Sequence, residues 1–363
     1  MENRSNQTAQ VRPRIDELDA LRGIASLSVV FFHFTMPWQT VNYNWLGIFS
    51  MGVDLFLIIS GFVIFMTASK DTSWLHFAWN RFGRLYPAYW ACVTITALLI
   101  VLRYTVLVPG EHYRLSVGLF MQYLANLSMV QYYLGYSNLD GPYWTLIIEL
   151  CFYFLMIVMM LTKQLKRIMV IGLAFAVFCA SYSLPWVYEN MWLKKILIGF
   201  PLIGYFPFFY GGMVLYQMKF EKVTFLRLVT FVSTLIFQCL MFTHCYENRN
   251  FVKLYQYVPA LTFIYAVFLF FLFGKLRFIV NPATIWLGRI SYSLYLIHQY
   301  LGIRVLIPQF IEKFRINFWF AAPIALFIVL VVAYCINRFI EVPAMRYLKR
   351  IFPAKKEVVE KLS

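Results

Sequence analysis

Arg22 and His33 lie eleven residues apart in the first apolar run of the chain, which reads Leu18-Asp19-Ala20-Leu21-Arg22-Gly23-Ile24-Ala25-Ser26 and continues to His33. At about 100° per residue they fall on nearly the same helical face, three turns and roughly 16 Å apart. Ser26 shares that face. One stripe thus carries a guanidinium near one end and an imidazole near mid-membrane. A neutral imidazole in such a place accepts a proton from a hydroxyl. It is equally read as a histidine capped by a neighbouring carbonyl in a helix bundle.

Other polar residues stand in apolar surroundings, where ionisable groups are costly and so are functional candidates. Asp54 opens a second run, Gly52-Val53-Asp54-Leu55-Phe56, either as a site carboxylate or as a helix cap. The same run ends in Ile59-Ser60-Gly61-Phe62, whose small pair permits close helix approach. Glu149, in Trp144-Thr145-Leu146-Ile147-Ile148-Glu149, needs a partner or a proton when buried. Arg22, His33 or Arg84 on a facing helix are the candidates, and a structural ion pair is the plainer reading.

Arg81 and Arg84, in Trp79-Asn80-Arg81-Phe82-Gly83-Arg84-Leu85-Tyr86-Pro87, share a helical face at the mouth of a third span. They serve either as positive-inside anchors or as guanidinium forks for phosphate. Ser291, Tyr295 and His298 recur at i, i+4 and i+7, a polar stripe on an apolar helix. His76, His112 and His244 fall near span ends or in loops and are given no role. No phosphate-binding glycine loop, metal-ligand spacing or nucleophile elbow is present. Chemistry therefore rests on the intramembrane His, Arg and carboxylates.

Apolar spans must position these residues. Of 363 residues, 61% are hydrophobic and only 13% charged, where a soluble domain carries about a quarter charged. The remaining apolar surface requires lipid as solvent. The net charge of +16 sits in short clusters between apolar runs, a topological pattern and not one for nucleic acid. The six cysteines have no paired ligand spacing and read as packing residues. The expected fold is an all-α polytopic membrane bundle of about ten transmembrane helices, each about 20 residues long. Spans are placed near 21–40, 53–69, 87–107, 142–162, 168–186, 196–217, 225–244, 257–274, 285–306 and 319–340.

If the N-terminus is cytoplasmic, most of the 32 Lys and Arg fall on the cytoplasmic side. Arg103, Arg114, Lys194, Lys195, Arg249, Lys253, Arg304, Lys313 and Arg315 remain outside. Both termini are then cytoplasmic, with a polar segment over 1–17, a membrane domain over 18–345 and a basic tail over 346–363. The first run is expected to stay as helix one and not to be cleaved as a signal peptide. The loop at 108–141 holds an interrupted apolar stretch, Leu115 to Tyr133, expected to lie at or re-enter the outer interface. An eleventh partial span is its alternative.

In these segments, taken in order, the sequence resembles the acyltransferase type 3 family of integral membrane proteins. The resemblance runs from about Ile15 to Met345. It implies O-acylation, usually O-acetylation, of a bacterial surface glycan or its lipid-linked precursor in the inner (cytoplasmic) membrane, with acetyl-CoA or another acyl-CoA as donor substrate and no bound cofactor. Some relatives carry an extracytoplasmic esterase-like domain, which is not expected here. On this reading Arg22, Arg81 and Arg84 hold the donor phosphates, and His33 is general base or transient acyl carrier. Glu149 orients or balances His33, while Trp144 stacks on a sugar or walls the pocket. Ser291 and Tyr295 are oxyanion donors. Two rivals stay open: a transporter or flippase for a lipid-linked sugar, and an acyltransferase with a non-glycan acceptor.

Overall fold

The structure, a computed structural model, describes residues 15–36, 44–70, 73–107, 117–245 and 251–352. The segment at 1–14, His112 and the tail from Pro353 lie outside them. Among the described residues there is no strand. The helices are α1 (Asp16–Thr35), α2 (Gly52–Ala68), α3 (Trp74–Leu102), α4 (Val117–Leu127), α5 (Trp144–Leu161), α6 (Ile168–Ser181), α7 (Pro185–Tyr188), α8 (Met191–Gly199), α9 (Phe206–Phe220), α10 (Phe225–Cys245), α11 (Leu254–Leu272), α12 (Pro282–Gln299), α13 (Phe318–Ile336) and α14 (Val342–Ile351). This is an all-α polytopic membrane bundle.

Among the described residues, seven helical stretches are long and apolar enough to cross a membrane: Asp16–Thr35, Trp45–Ala68, Trp74–Val106, Gly141–Leu161, Phe225–Phe242, Leu254–Leu272 and Phe318–Ile351. The other three expected spans are helices too, but α6 and α9 are short, at 14 and 15 residues, and α12 carries the polar stripe. The expected span at 196–217 is broken. Pro201 follows Phe200, whose backbone leaves the helical region (φ −135, ψ 78), because a proline disfavours helical geometry in the residue before it. The outer segment expected at the interface forms α4, only 11 residues long.

Two pairs of glycines set the packing of the helices around the site. A methyl group on Gly61 would lie 2.0 Å from the Phe209 carbonyl oxygen, and one on Gly212 would lie 2.1 Å from that of Ile58. The backbones of α2 and α9 therefore touch, as the Ser60-Gly61 pair foretells. The second pair joins α1 to α12. A methyl on Gly23 would meet the Thr284 oxygen at 2.7 Å, and one on Gly288 would meet the Asp19 oxygen at 2.1 Å. Farther along, Gly302 packs on the Phe34 ring. Contacts advance in the same sense on both helices, so α1 and α12 run parallel.

Asp16, Glu17 and Asp19 in the first turn of α1 complement its dipole, and Asn281 caps α12 through the amides of Ala283 and Thr284. Aromatic side chains such as Phe152, Phe208 and Phe209 fill the centre of the bundle, while Phe225, Phe263, Trp319 and Phe327 point outward as a lipid-facing surface.

Candidate active site

The parallel α1–α12 pair carries the site. His33 and His298 each stand ten residues beyond the glycine that joins their helices, so an equal rise of about 15 Å brings them level. The Nε2 atom of His298 lies 2.9 Å from Nδ1 of His33. His298 is fully buried, and its Nδ1 faces the carbonyls of Tyr295 at 2.8 Å and Leu294 at 3.2 Å. A carbonyl only accepts, so that nitrogen carries the proton. In a neutral ring Nε2 is then an acceptor, and the proton between the rings belongs to His33 Nδ1. The lone pair of a neutral His33 is left on its own Nε2. That is the tautomer a general base needs.

Below this pair lies a cavity of about 60 Å³. Arg22 (α1), Ser60 (α2), Arg84 (α3), Glu149 (α5), Ser291 and Tyr295 (α12) all line it, joined by apolar walls from Phe56, Leu57 and Leu146. Six residues from five different helices, singled out by type alone, thus converge on one space. Arg22 is surrounded by the charges of Asp19, Glu149 and Glu341, with Arg84 as a cationic neighbour. Glu149 accepts a hydrogen bond from the Tyr153 hydroxyl. It therefore belongs with the arginines, and the partner that orients His33 is His298. Tyr295 closes the cavity towards the histidines: its ring is 5.9 Å from that of His298 and 5.8 Å from that of Phe56.

The hydroxyls expected to serve an oxyanion are committed elsewhere. Ser291 Oγ donates to the Gly288 carbonyl at 2.9 Å. Thr145 Oγ1 donates to the Pro142 carbonyl, so the Tyr295 hydroxyl, 3.0 Å from Thr145, donates to it. An oxyanion role would require either proton to swing away. Asp54 is fully buried in the first turn of α2 but is not its cap residue, and it does not line the cavity. Its charge faces Tyr257 and Tyr265 of α11.

A second, polar cavity of about 100 Å³ lies between the start of α3 and α14. Arg81, Arg84, Asn80 and Lys349 line it, and its apolar wall includes Trp79 stacked on Phe352 at 4.5 Å. Arg81 is held by Thr67 Oγ1 at 3.2 Å and lies over the rings of Phe77 and Tyr153. Arg84 is common to both cavities. Trp144 faces the other way, into a third cavity on the far side of α5.

Two buried carboxylates went unnoticed in the sequence. Glu341 accepts from Ser293 Oγ at 2.7 Å and Asn337 Nδ2 at 2.9 Å. It sits in a wide turn just past the expected end of the last span, so extending that span by one residue would have found it. Asp140 accepts from the amides of Gly141 (2.8 Å) and Tyr300 (3.1 Å), tying the start of α5 to the end of α12. It reads as an ordinary loop residue, and no sequence signal marks it.

The fold is thus a polytopic helix bundle with a hydrogen-bonded imidazole pair above an arginine-lined cavity. The profile of the acyltransferase domain of type 3 matches residues 15–338, and the chain belongs to that family. It is similar to a protein of Acidianus two-tailed virus provisionally named an acetyltransferase, with 25% identity over 293 residues, covering 79% of this chain and 82% of that one. It is also similar to a Bacillus subtilis (strain 168) protein provisionally named a peptidoglycan O-acetyltransferase, with 29% identity over 192 residues, 48% of this chain and 29% of that one. No solved structure matches. Family and relatives support a membrane O-acyltransferase.

Proposed function

We propose that this chain transfers an acyl group, acetyl above all, from cytoplasmic acyl-CoA to a hydroxyl of a surface carbohydrate or its lipid-linked precursor, in the cytoplasmic membrane of a bacterium. The observation that carries the donor assignment is Arg84, shared by a polar cationic cavity and an inner one walled in part by Val53, Phe56, Leu57 and Leu146. Acyl-CoA has that same division. Its nucleotide and phosphates suit Arg81, Arg84 and Lys349, with the Trp79–Phe352 stack beside them. Its uncharged arm suits the inner cavity that ends at Tyr295, and the Arg81–Arg84 end of the bundle then faces the cytoplasm. A carbohydrate acceptor agrees with the name of the Bacillus relative, which acts on peptidoglycan by that name.

In the reaction, His33 Nε2 takes the proton of the acceptor hydroxyl as its oxygen attacks the thioester carbonyl. The new C–O bond forms, the C–S bond breaks, and the departing thiolate takes the proton to leave as CoA thiol. His298 holds the His33 tautomer and stabilises its cation through the shared hydrogen bond. Transient acylation of His33 Nε2, followed by transfer, uses the same nitrogen.

Mass spectrometry of surface glycans from a strain lacking the gene tests this reading. The expected result is loss of one acyl group per modified unit with the polymer intact. Loss of the whole polymer would point to transport of a lipid-linked sugar instead.

A further inference from the structure

The third cavity, about 350 Å³, is the largest of the three and takes no part in the donor path. Its volume is within the range of roughly 300–1,000 Å³ usual for small-ligand sites. It lies at the end of the bundle opposite Arg81. Along the antiparallel α3–α5 pair, Arg81 stands over Tyr153, whereas Thr96 meets the Tyr143 hydroxyl at 3.3 Å. Fifteen residues of α3, about 22 Å of helix, separate the two levels.

The walls are aromatic and amide. Trp144 and Tyr205 stand 5.5 Å apart with their rings tilted by 47°. Tyr132 and Tyr136 come from the turn after α4, and Gln131 donates to Asn138 Oδ1 at 2.7 Å. Among the described residues no Lys, Arg, Asp or Glu lines it, and its lining residues offer no charge to hold a phosphate. The frame is tied. The Tyr132 hydroxyl donates to the Ile198 carbonyl at 2.7 Å and that of Tyr133 to the Gly199 carbonyl at 3.1 Å, fastening the end of α8 to this turn. Asn126 binds the Ser137 carbonyl and the Leu139 amide. Aromatic rings at a membrane interface ordinarily face lipid; these enclose a concave space together with amides.

We propose that this cavity seats a neutral sugar unit of the acceptor, an inference resting on the carbohydrate-acceptor reading above. Flat rings take the C–H face of a pyranose, and side-chain amides offer donor and acceptor together to its hydroxyls. The seat adjoins the elements that carry the histidines: Trp144 faces the cavity, while its neighbour Thr145 hydrogen-bonds Tyr295, whose ring lies 5.9 Å from that of His298.

The test uses the full chain in phospholipid vesicles and a neutral N-acetylglucosamine tetramer carrying a photoreactive diazirine. Label is expected within residues 131–148 or 197–205, displaced by unmodified tetramer. Trp144→Ala is expected to reduce it about tenfold, the equivalent of about 1.4 kcal/mol, and Trp144→Phe to retain it. Trp144→Ala also raises the acceptor KM with an unchanged donor KM. Label confined to the Arg84 cavities, label competed by added phospholipid headgroup, or equal labelling of wild type and Trp144→Ala overturns the proposal. Labelling at the cavity by a protein that transfers no acyl group upholds the sugar seat and counts against the transferase reading alone.

Discussion

His33 Nδ1 and His298 Nε2 stand 2.9 Å apart, on helices whose backbones touch ten residues earlier at Gly23 and Gly288. The imidazole pair is thus set by backbone packing, and the direction of its hydrogen bond by the Tyr295 and Leu294 carbonyls. In the proposed mechanism His298 acts by fixing which nitrogen of His33 is basic.

Replacing His298 with Ala should lower kcat by about 10²-fold, at the modest end of what a base and its orientation supply, while leaving the donor KM unchanged. His298→Gln, which can still offer an acceptor to His33 Nδ1, should recover part of the rate. A pH–rate profile separates positioning from mere packing: the limb belonging to His33 moves in His298→Gln if the two rings share a proton. An unmoved limb with a uniformly reduced rate would mean that His298 only packs.

Gly288→Ala should push α12 away from the Asp19 carbonyl, since its methyl would lie only 2.1 Å from that oxygen. Overpacking of this kind costs about 1–3 kcal/mol. Thermal melting of the purified protein should show it, together with loss of activity as the histidines move out of register. Gly199, with nothing within 4 Å of its missing methyl, is the control and should tolerate Ala in both measurements.

The pattern of polar residues in apolar runs made much of the site legible. Arg22, Ser60, Arg84, Glu149, Ser291 and Tyr295 stand out because a bilayer penalises them, and they share one cavity. Partnerships were less legible. Glu149 accepts a hydrogen bond from Tyr153, and His33 pairs with His298 because the register of the parallel α1 and α12 is decided by Gly23 and Gly288 on segments far apart in the chain. Asp54 is buried as expected but turned towards α11, a direction that its own helix cannot reveal. The break at Pro201 lies inside an apolar stretch whose hydropathy alone reads as one continuous span.

Arg84→Ala should raise the KM for acyl-CoA at least tenfold, about 1.4 kcal/mol, with a smaller effect on the acceptor. Arg84→Lys should restore only part of it, since an ammonium lacks the planar fork. Steady-state kinetics with each substrate varied in turn checks the split. Equal effects on both KM values would remove Arg84 from the donor path.

Burial pushes the Asp140 carboxyl from its ordinary 3.8 up to about 7, against the two amide hydrogen bonds that favour its charged form. The folded protein therefore holds a proton that the unfolded chain has released between those values. The stability from this group is greatest below pH 4 and falls as pH rises through about 7. Melting temperatures should decline from pH 5 to about 7 and level off towards pH 8 in wild type, and lose that component in Asp140→Asn. The same decline in both would place its origin elsewhere.

The basic nitrogen of His33 is the centre of the account. The measurement is transfer of radiolabelled acetyl from acetyl-CoA, supplied at the Arg84 face of vesicles, to glycan or lipid-linked sugar, comparing wild type with His33→Ala. Label in the acceptor with wild type, reduced by about 10²- to 10⁴-fold in a folded His33→Ala protein, is the predicted result. Full transfer by His33→Ala would contradict it.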